Sequence, residues 1–263
     1  MQIVVLVKQT FDTEAKITLN AEGKIESKGV NLVVDPYSEF AVEEALRIKE
    51  RLGVGKVIIL CVGGESAATA VRHCFSMGAD EGYLIADPAI SNGDQSITAE
   101  ILSKALEKIP HDLILGGYKT VDNAGAQVCQ RVAELQGIPV VSVITKIDFE
   151  EGNKIAVAKR EIDDGFEMIE VSLPAVFTAQ QGLAEPRYPS MKGIMQAKKK
   201  PLQKWTLADL GLAPDKVGST GSKVKTVSYE LPVPRKGGKI IEGELPVAVA
   251  EVLQLLRSEA KVI

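Results

Sequence analysis

Histidine is almost absent: His73 and His111 are the only two in 263 residues. A His-based catalytic triad or a multi-His metal centre has nothing to be built from. Cysteine is nearly as scarce. Cys61, Cys74 and Cys129 are odd in number and scattered, with no CxxC pair. That excludes a disulfide framework and fits a reducing compartment, expected to be the cytoplasm. No apolar stretch approaches the roughly 20 residues of a membrane span. The opening run Met-Gln-Ile-Val-Val-Leu-Val-Lys is short, ends on a charge and lacks a basic leader and cleavage site, so a buried strand is expected there and no membrane insertion. Aromatic residues are 5% of the chain and the net charge is only −4, which gives no global case for binding nucleic acid. Neither GxGxxG nor GxxxxGK(S/T) occurs, so the standard dinucleotide fingerprint and the P-loop are both missing.

What is present is an ordinary globular balance, 45% hydrophobic and 25% charged, in a chain long enough for a sizeable core. Ile3 to Val7, Val57 to Val62, Gly82 to Ala86 and Leu113 to Leu115 read as strands. The continuously apolar ones suit burial on both faces. Helices are predicted from Asp35-Pro36 onward, over Ser66 to Met77, over Gln95 to Lys108 and over Asn123 to Leu135. In the first, Asp35 is the cap and Pro36 suits the opening turn. Ala41, Val42, Ala45, Leu46 and Ile48 form its apolar face, and Glu43, Glu44, Arg47 and Glu50 are expected to face water. Thr18 to Val30 reads as a loose hairpin. The alternation predicts an α/β fold, a doubly wound and mostly parallel sheet.

The pattern changes near Val140. Val140 to Asp148, Lys154 to Arg160 and Glu167 to Leu173, separated by Gly152-Asn153 and Asp164-Gly165, read as an antiparallel extension, with one more buried strand over Ala175 to Ala179. We divide the chain into an α/β domain over 1–185 and an extended C-terminal arm over 186–263. The arm's composition, Pro- and Lys-rich and then Gly/Ser/Lys-rich, ends in an amphipathic helix carrying Val249, Val252, Leu253 and Leu256. Such a segment suits a surface on another chain, or a tail folded back on its own domain.

In an open parallel sheet ligands bind beyond the carboxyl ends of the strands. The loops there are Lys8 to Thr13, Val62-Gly63-Gly64, and the small-residue run from Gly116 to Gln127. Small residues let backbone amides approach a ligand, and a helix N-terminus favours an anion such as phosphate. The same residues also serve ligand-free strand-to-helix turns, and both readings stay open. His73 and Cys74 are expected to be buried structural residues. Asp163-Asp164-Gly165 fits a hairpin turn rather than a metal site. Lys198 to Lys200 has no stacking aromatics around it and reads as a solvated face. Met191, between Pro189 and Gly193, sits in a loop-like stretch and suits either local packing or an apolar pocket on a partner.

Taken together the residues resemble the beta subunits of electron transfer flavoproteins. The resemblance rests on Val-Lys-Gln (7–9), Asp-Pro-Tyr-Ser-Glu-Phe-Ala-Val-Glu-Glu-Ala (35–45), Met-Gly-Ala-Asp (77–80) and Val-Ala-Lys-Arg-Glu-Ile-Asp-Asp-Gly-Phe-Glu (157–167). It rests further on Leu-Pro-Ala-Val (173–176) and the segment Glu-Pro-Arg-Tyr-Pro-Ser-Met-Lys-Gly-Ile-Met-Gln-Ala-Lys-Lys-Lys (185–200). It spans nearly the whole chain in order. The resemblance implies a heterodimer whose alpha subunit holds most of a redox FAD, with electrons arriving from a dehydrogenase and leaving to a redox acceptor. It also implies an adenine nucleotide in this chain: AMP in most members, a second FAD reacting with NADH in electron-bifurcating ones. The nucleotide positions of the family fall on Leu6, Asp35, Val62 and the segment Gly117, Tyr118, Lys119, Thr120, Val121, Asp122, Asn123, Ala124, Gly125, Ala126, Gln127 and Val128. Tyr37 matches an aromatic that approaches the alpha-subunit flavin. Arg160 and Glu161 match a pair near the electron exit, and Met191 an apolar anchor for the partner.

The nucleotide loop of the family usually reads Gln-Ala-Ile-Asp and then an acidic residue, where this chain has Lys119-Thr120-Val121-Asp122-Asn123. Bifurcating members commonly continue Gly-Asp-Thr-Ala-Gln-Val-Gly-Pro, of which only Ala126-Gln127-Val128 remains, so the resemblance implies AMP before a second FAD. Asp35 stands where Asn is usual. A stand-alone nucleotide-binding module without a redox role is the alternative of another class.

Overall fold

The computed structural model describes residues 1–234 and 237–263. In chain order the elements begin with β1 (Gln2–Val7), β2 (Gln9–Phe11), β3 (Leu32–Val34), α1 (Pro36–Leu52), β4 (Lys56–Val62), α2 (Ala68–Met77), β5 (Glu81–Ile85), α3 (Gln95–Leu106), β6 (Leu113–Gly117) and α4 (Val128–Gln136). There follow β7 (Val140–Phe149), β8 (Ile155–Ile162), β9 (Gly165–Ser172), β10 (Ala175–Ala179), α5 (Met191–Lys199), β11 (Gln203–Trp205), α6 (Gly218–Gly221) and α7 (Leu245–Leu255). A nine-stranded sheet runs β11-β5-β4-β1-β6-β10-β7-β8-β9. From β11 to β7 every pair is parallel, and β8 and β9 add the antiparallel extension. β2 and β3 form a separate antiparallel pair.

The sheet is doubly wound, and β1 shows why its sequence is apolar without alternation. Ile3, Val5 and Val7 pack into the core with α1 and α2. Val4 and Leu6 pack into the opposite core with α3 and α4. Both faces are covered, as a central parallel strand requires. The N-terminus of α1 is set by Asp35, whose side chain accepts the Tyr37 N–H at 3.0 Å, and its end by Gly53 in a left-handed conformation (φ 68°). Thr18 to Val30 closes only as a small hairpin around one isolated bridge, Leu19 with Ile25.

The structure corrects four expectations. Glu43 and Glu44 do not face water; they are 2% and 5% exposed. The chain returns over α1 after β10, and Arg187 donates from Nε to Glu43 at 2.8 Å while Arg47 holds the other carboxylate oxygen at 2.8 Å. Helix α4 starts at Val128, not Asn123, because Ala124 and Ala126 take left-handed φ values of 50° and 48° that no helix accepts. Met191 is the first residue of a helix rather than part of a loop, because Ser190 caps that helix by accepting the Gly193 N–H. Cys74 is buried as expected, but His73 keeps 40% of its side chain exposed and pairs with Glu39 of α1 at 2.8 Å.

Residues beyond α5 pack back onto the sheet before leaving it. β11 extends the sheet edge at β5, and Leu207, Leu210 and Val217 join the core on the α3 side. From Lys223 onward the described residues are nearly all exposed, and α7 has no buried residue.

Candidate functional site

The chain leaves β1 through α1 to β4 on one side, and returns from β5 through α3 to β6 on the other side of β1. The carboxyl ends of β1 and β6 therefore flank a topological switch point, where the crevice of an open α/β sheet forms. A cavity of about 200 Å³ lies there, lined by Lys8 after β1, by Asp94, Gln95 and Thr98 of α3, and by the loop from β6 into α4.

That loop is shaped by close approach. A Cβ on Gly116 would sit 2.6 Å from the Cys129 sulfur, and one on Gly117 would sit 2.7 Å from the Tyr37 Cβ. Only glycine lets the end of β6 pass between α4 and α1. The Tyr118 N–H then donates to the Ala179 carbonyl at 3.1 Å, and the Val121 N–H to Asp35 Oδ2 at 2.8 Å. Asp35, fully buried, thus caps α1 with one oxygen and holds the loop with the other. Burial raises its carboxyl above the usual range, against the pull of the Val121 and Tyr37 amides, and nearby Asp122 adds to the rise.

Asp122 goes the other way. Burial works against its charge, but the Lys8 ammonium at 2.5 Å and the Thr120 hydroxyl at 2.6 Å outweigh it and hold the carboxyl below its usual range. Further on, Asn123 Oδ1 accepts the Gly125 N–H at 3.1 Å. Ala124 and Ala126 are the non-glycine residues in left-handed backbone here, a conformation that costs energy and gathers at binding loops. The loop delivers α4 with Gln127 at the cap position and no side-chain cap bond. Gln127, Val128 and Cys129 at that helix start line the cavity, and the first amides of a helix have no intrahelical partner. By contrast α3 carries its own anion: Asp94 accepts the Ser96 and Ile97 amides at 2.9 and 3.0 Å.

Tyr118 and Lys119, which line the cavity, cluster with Tyr37 of α1. The two rings meet edge-on at 4.8 Å, and the Lys119 ammonium lies 5.0 Å from the Tyr118 ring centre and 5.5 Å from that of Tyr37. Of the three cysteines Cys129 lines the cavity, its sulfur 3.7 Å from the Gly117 carbonyl oxygen. Burial pushes Cys61 and Cys129 up to about 12 and Cys74 well above its ordinary value, so all are inert.

Of the positions singled out in the sequence, Gly117, Tyr118, Lys119, Thr120, Asn123, Ala126, Gln127 and Val128 line the cavity. Asp35, Val121 and Asp122 hold the loop, and Leu6 lies beneath it, paired in register with Gly116. Val62 and its two glycines end β4 and are not among the lining residues. Arg160 and Glu161 lie elsewhere, on β8, where Arg160 pairs across the hairpin with Glu167 at 2.6 Å. Met191 is elsewhere again, 76% exposed on α5, which packs on α2. With α2 over β4 and β5, several strands at about 4.8 Å each separate Met191 from Arg160.

The lining residues not singled out as site positions from sequence are Gly93, Asp94, Gln95, Thr98 and Cys129. For the first four the signal was a Gly-Asp pair opening a helix after a strand, a capping pattern that marks the same edge of the sheet. Among the described residues no group of His, Cys, Asp and Glu is placed to hold a metal, and no helix is long and apolar enough to cross a membrane.

A doubly wound, mostly parallel sheet with a close-packed glycine loop at its switch point defines an open α/β protein, the class whose ligands bind beyond the carboxyl ends of the strands. Residues 23–210 match the family described as electron transfer flavoprotein domain. The electron transfer flavoprotein subunit beta of Bacillus subtilis (strain 168) is 41% identical over 264 residues, covering 100% of both chains. That of Syntrophomonas wolfei subsp. wolfei is 39% identical over 262 residues, 100% of this chain and 98% of the relative. The caffeyl-CoA reductase-Etf complex subunit CarD of Acetobacterium woodii is 35% identical over 263 residues, 99% and 98% of the two chains. The chain belongs to the electron transfer flavoprotein beta subunit family.

Proposed function

We propose that this chain forms a heterodimer with an electron transfer flavoprotein alpha subunit, and that the pair carries electrons from a dehydrogenase to a redox acceptor through FAD. The FAD is held mainly by the alpha subunit, and this chain binds AMP at the switch point. Family membership carries the redox role, and the uncapped N-terminus of α4 carries the nucleotide. Gly117 to Val128 would wrap the nucleotide, with the phosphate at the first amides of α4. Lys8 supplies a cation beside the same cavity. Asp94 keeps the phosphate away from α3, because that helix end already holds a carboxylate. Of the run Gly-Asp-Thr-Ala-Gln-Val-Gly-Pro common in bifurcating members only Ala126-Gln127-Val128 remains, and this supports AMP over a second FAD.

Flavin, when bound, supplies the reversible uptake of electrons; this chain contributes binding, orientation and electrostatics. Tyr37, with Tyr118 and Lys119 beside it, is the surface we assign to the flavin. The exposed stretch from Lys223, with α7, is the arm we assign to the alpha subunit. Val247, Val249 and Leu253 of α7 are exposed, and an apolar face of that kind suits burial against another chain. On α5, Tyr188 just before it, Met191 and Met195 are 99%, 76% and 64% exposed, with Lys192, Lys198 and Lys199 nearby. This surface we assign to the dehydrogenase, with Met191 as anchor. Arg160 and Glu161 are assigned to the acceptor side. The free, buried thiols fit the cytoplasm.

The test is the cofactor content of the protein purified with its alpha subunit. One flavin and one AMP per heterodimer is the expected result. Two flavins would make it a bifurcating subunit, and none a nucleotide-binding module without a redox role.

A further inference from the structure

Helix α5 has nine residues, fewer than an isolated helix needs to persist in water. Its existence and direction come from α2. At the N-terminal end, Gly193 passes so close to α2 that a Cβ there would lie 2.5 Å from the Ser76 carbonyl oxygen. Past the C-terminal end, Lys200 turns back, its ammonium donating to the Ala79 carbonyl and lying 5.7 Å from the Phe75 ring centre.

The C-terminal turn has a gap that the sequence explains. The carbonyl of Ala197 would take its helical hydrogen bond from residue 201, but that residue is Pro201 and has no N–H. Arg72 of α2 fills the gap: its Nη1 donates to the Ala197 carbonyl at 2.9 Å and reaches the Lys198 carbonyl at 3.4 Å. A guanidinium suits the negative end of a helix and can serve two carbonyls from a planar fork.

We infer that Arg72 is a positioning residue for partner docking: by completing the last turn of α5 from α2, it fixes the direction in which Met191 and Met195 are presented. This rests on the reading of α5 as the dehydrogenase-facing surface. Arg72 itself need not touch the partner. Its bonds to two backbone carbonyls of α5 set the helix, and the helix sets the apolar side chains.

The experiment uses the protein purified with its alpha subunit and compares Arg72→Met, Arg72→Lys, Gly193→Ala and Met191→Ala. Arg72→Met keeps the aliphatic stem and removes the donors. It should speed hydrogen exchange across residues 191–199 by about tenfold while the rest of the chain holds its protection. It should raise the KM for this protein in a dehydrogenase assay by about fivefold with kcat little changed. The flavin absorbance should stay as it was. Arg72→Lys should recover part of both effects. Gly193→Ala, which disturbs the other end of α5, should reproduce the KM rise if Arg72→Met fails to fold. Combining Met191→Ala with Arg72→Met should add little to either alone.

Unchanged exchange over α5 in Arg72→Met would overturn the inference. So would a KM that stays put in Arg72→Met while Met191→Ala raises it; the docking surface would then stand without Arg72. A KM unmoved by Met191→Ala would remove the docking surface itself, and this inference with it.

Discussion

Asp35 accepts the backbone N–H of Val121 at 2.8 Å, across 86 residues of sequence, while its other carboxylate oxygen caps α1 at the Tyr37 N–H. One buried side chain joins the start of a helix to the nucleotide loop. Asp35→Ala removes a cap, worth about 1 kcal/mol, and leaves the Val121 amide without its acceptor, worth roughly 1–3 kcal/mol more. A total loss of about 2–4 kcal/mol is expected in denaturant unfolding. Asp35→Asn should cost less, since its carbonyl oxygen still serves one of the two amides. A loss below half a kilocalorie in Asp35→Ala would mean that the loop is held by other means.

Gly117 is where β6 passes α1. A Cβ there would lie 2.7 Å from the Tyr37 Cβ and 3.0 Å from its backbone carbon. Neither neighbour is the free end of a flexible chain, so Gly117→Ala should displace the loop and cost about 1–3 kcal/mol. Gly125 differs: its nearest neighbour is the amide end of Gln95, at 2.8 Å, which can swing aside for a methyl group. Gly125→Leu needs more room and should lower the nucleotide that co-purifies, and with it the ligand's share of stability. Nucleotide content that stays the same in both variants would place the ligand away from this loop.

Glu44 carries a pH dependence. Burial lifts its carboxyl from 4.5 to about 7, against the attraction of Arg51 and Arg47, while Asp148 and Glu43 add to the rise. The folded state therefore binds a proton that the unfolded chain has released. Stability falls as pH rises from about 4.5 to about 7 and is level above that. Glu44→Gln has no charge to bury. At pH 8 it should be more stable than the parent by up to about 3 kcal/mol, and at pH 4 nearly equal to it. Measuring unfolding midpoints at both pH values decides it; an equal effect at each would mean that Glu44 is not ionised by burial-limited titration.

Asp94 ties the last packed segment to the cavity. Its carboxylate caps α3 and also accepts the Lys223 and Val224 amides at 2.7 and 3.1 Å. Burial opposes its charge, but the Ser96 hydroxyl and these amides win and bring its carboxyl down to about 2. That stabilisation is complete above 3.8, the ordinary value, and is lost as pH falls toward about 2. Asp94→Ala should cost about 1–2 kcal/mol as a lost cap. It should also speed proteolysis at Lys223 and Lys225; cleavage at the parent's rate would show that the segment is fastened elsewhere.

Much of this fold is written locally. β1, β4 and β6 announce themselves because strands covered on both faces carry apolar side chains on both sides of the chain. Asp35-Pro36 marks the start of α1 because a capping carboxylate and a proline suit that turn and few others. The antiparallel extension shows in its turn residues, Gly152-Asn153 and Asp164-Gly165. Each of these signals depends on neighbours within a few positions.

The rest depends on residues far apart. A helical period places Glu43 and Glu44 on the outer face of α1, and only the return of the chain through Arg187 and the packing of β7 bury them. The alanines at 124 and 126 have ordinary helix propensity, yet the tethers of Tyr118 to Ala179 and of Val121 to Asp35 bend the loop into left-handed turns and start α4 at Val128. Asp94 reads as a cap, but its place in the cavity follows from α3 crossing back over the sheet to reach β6. Propensity and periodicity act over one or two turns of chain. Burial, charge pairing and the convergence of loops at the end of a sheet are properties of strand order, which tertiary packing alone decides.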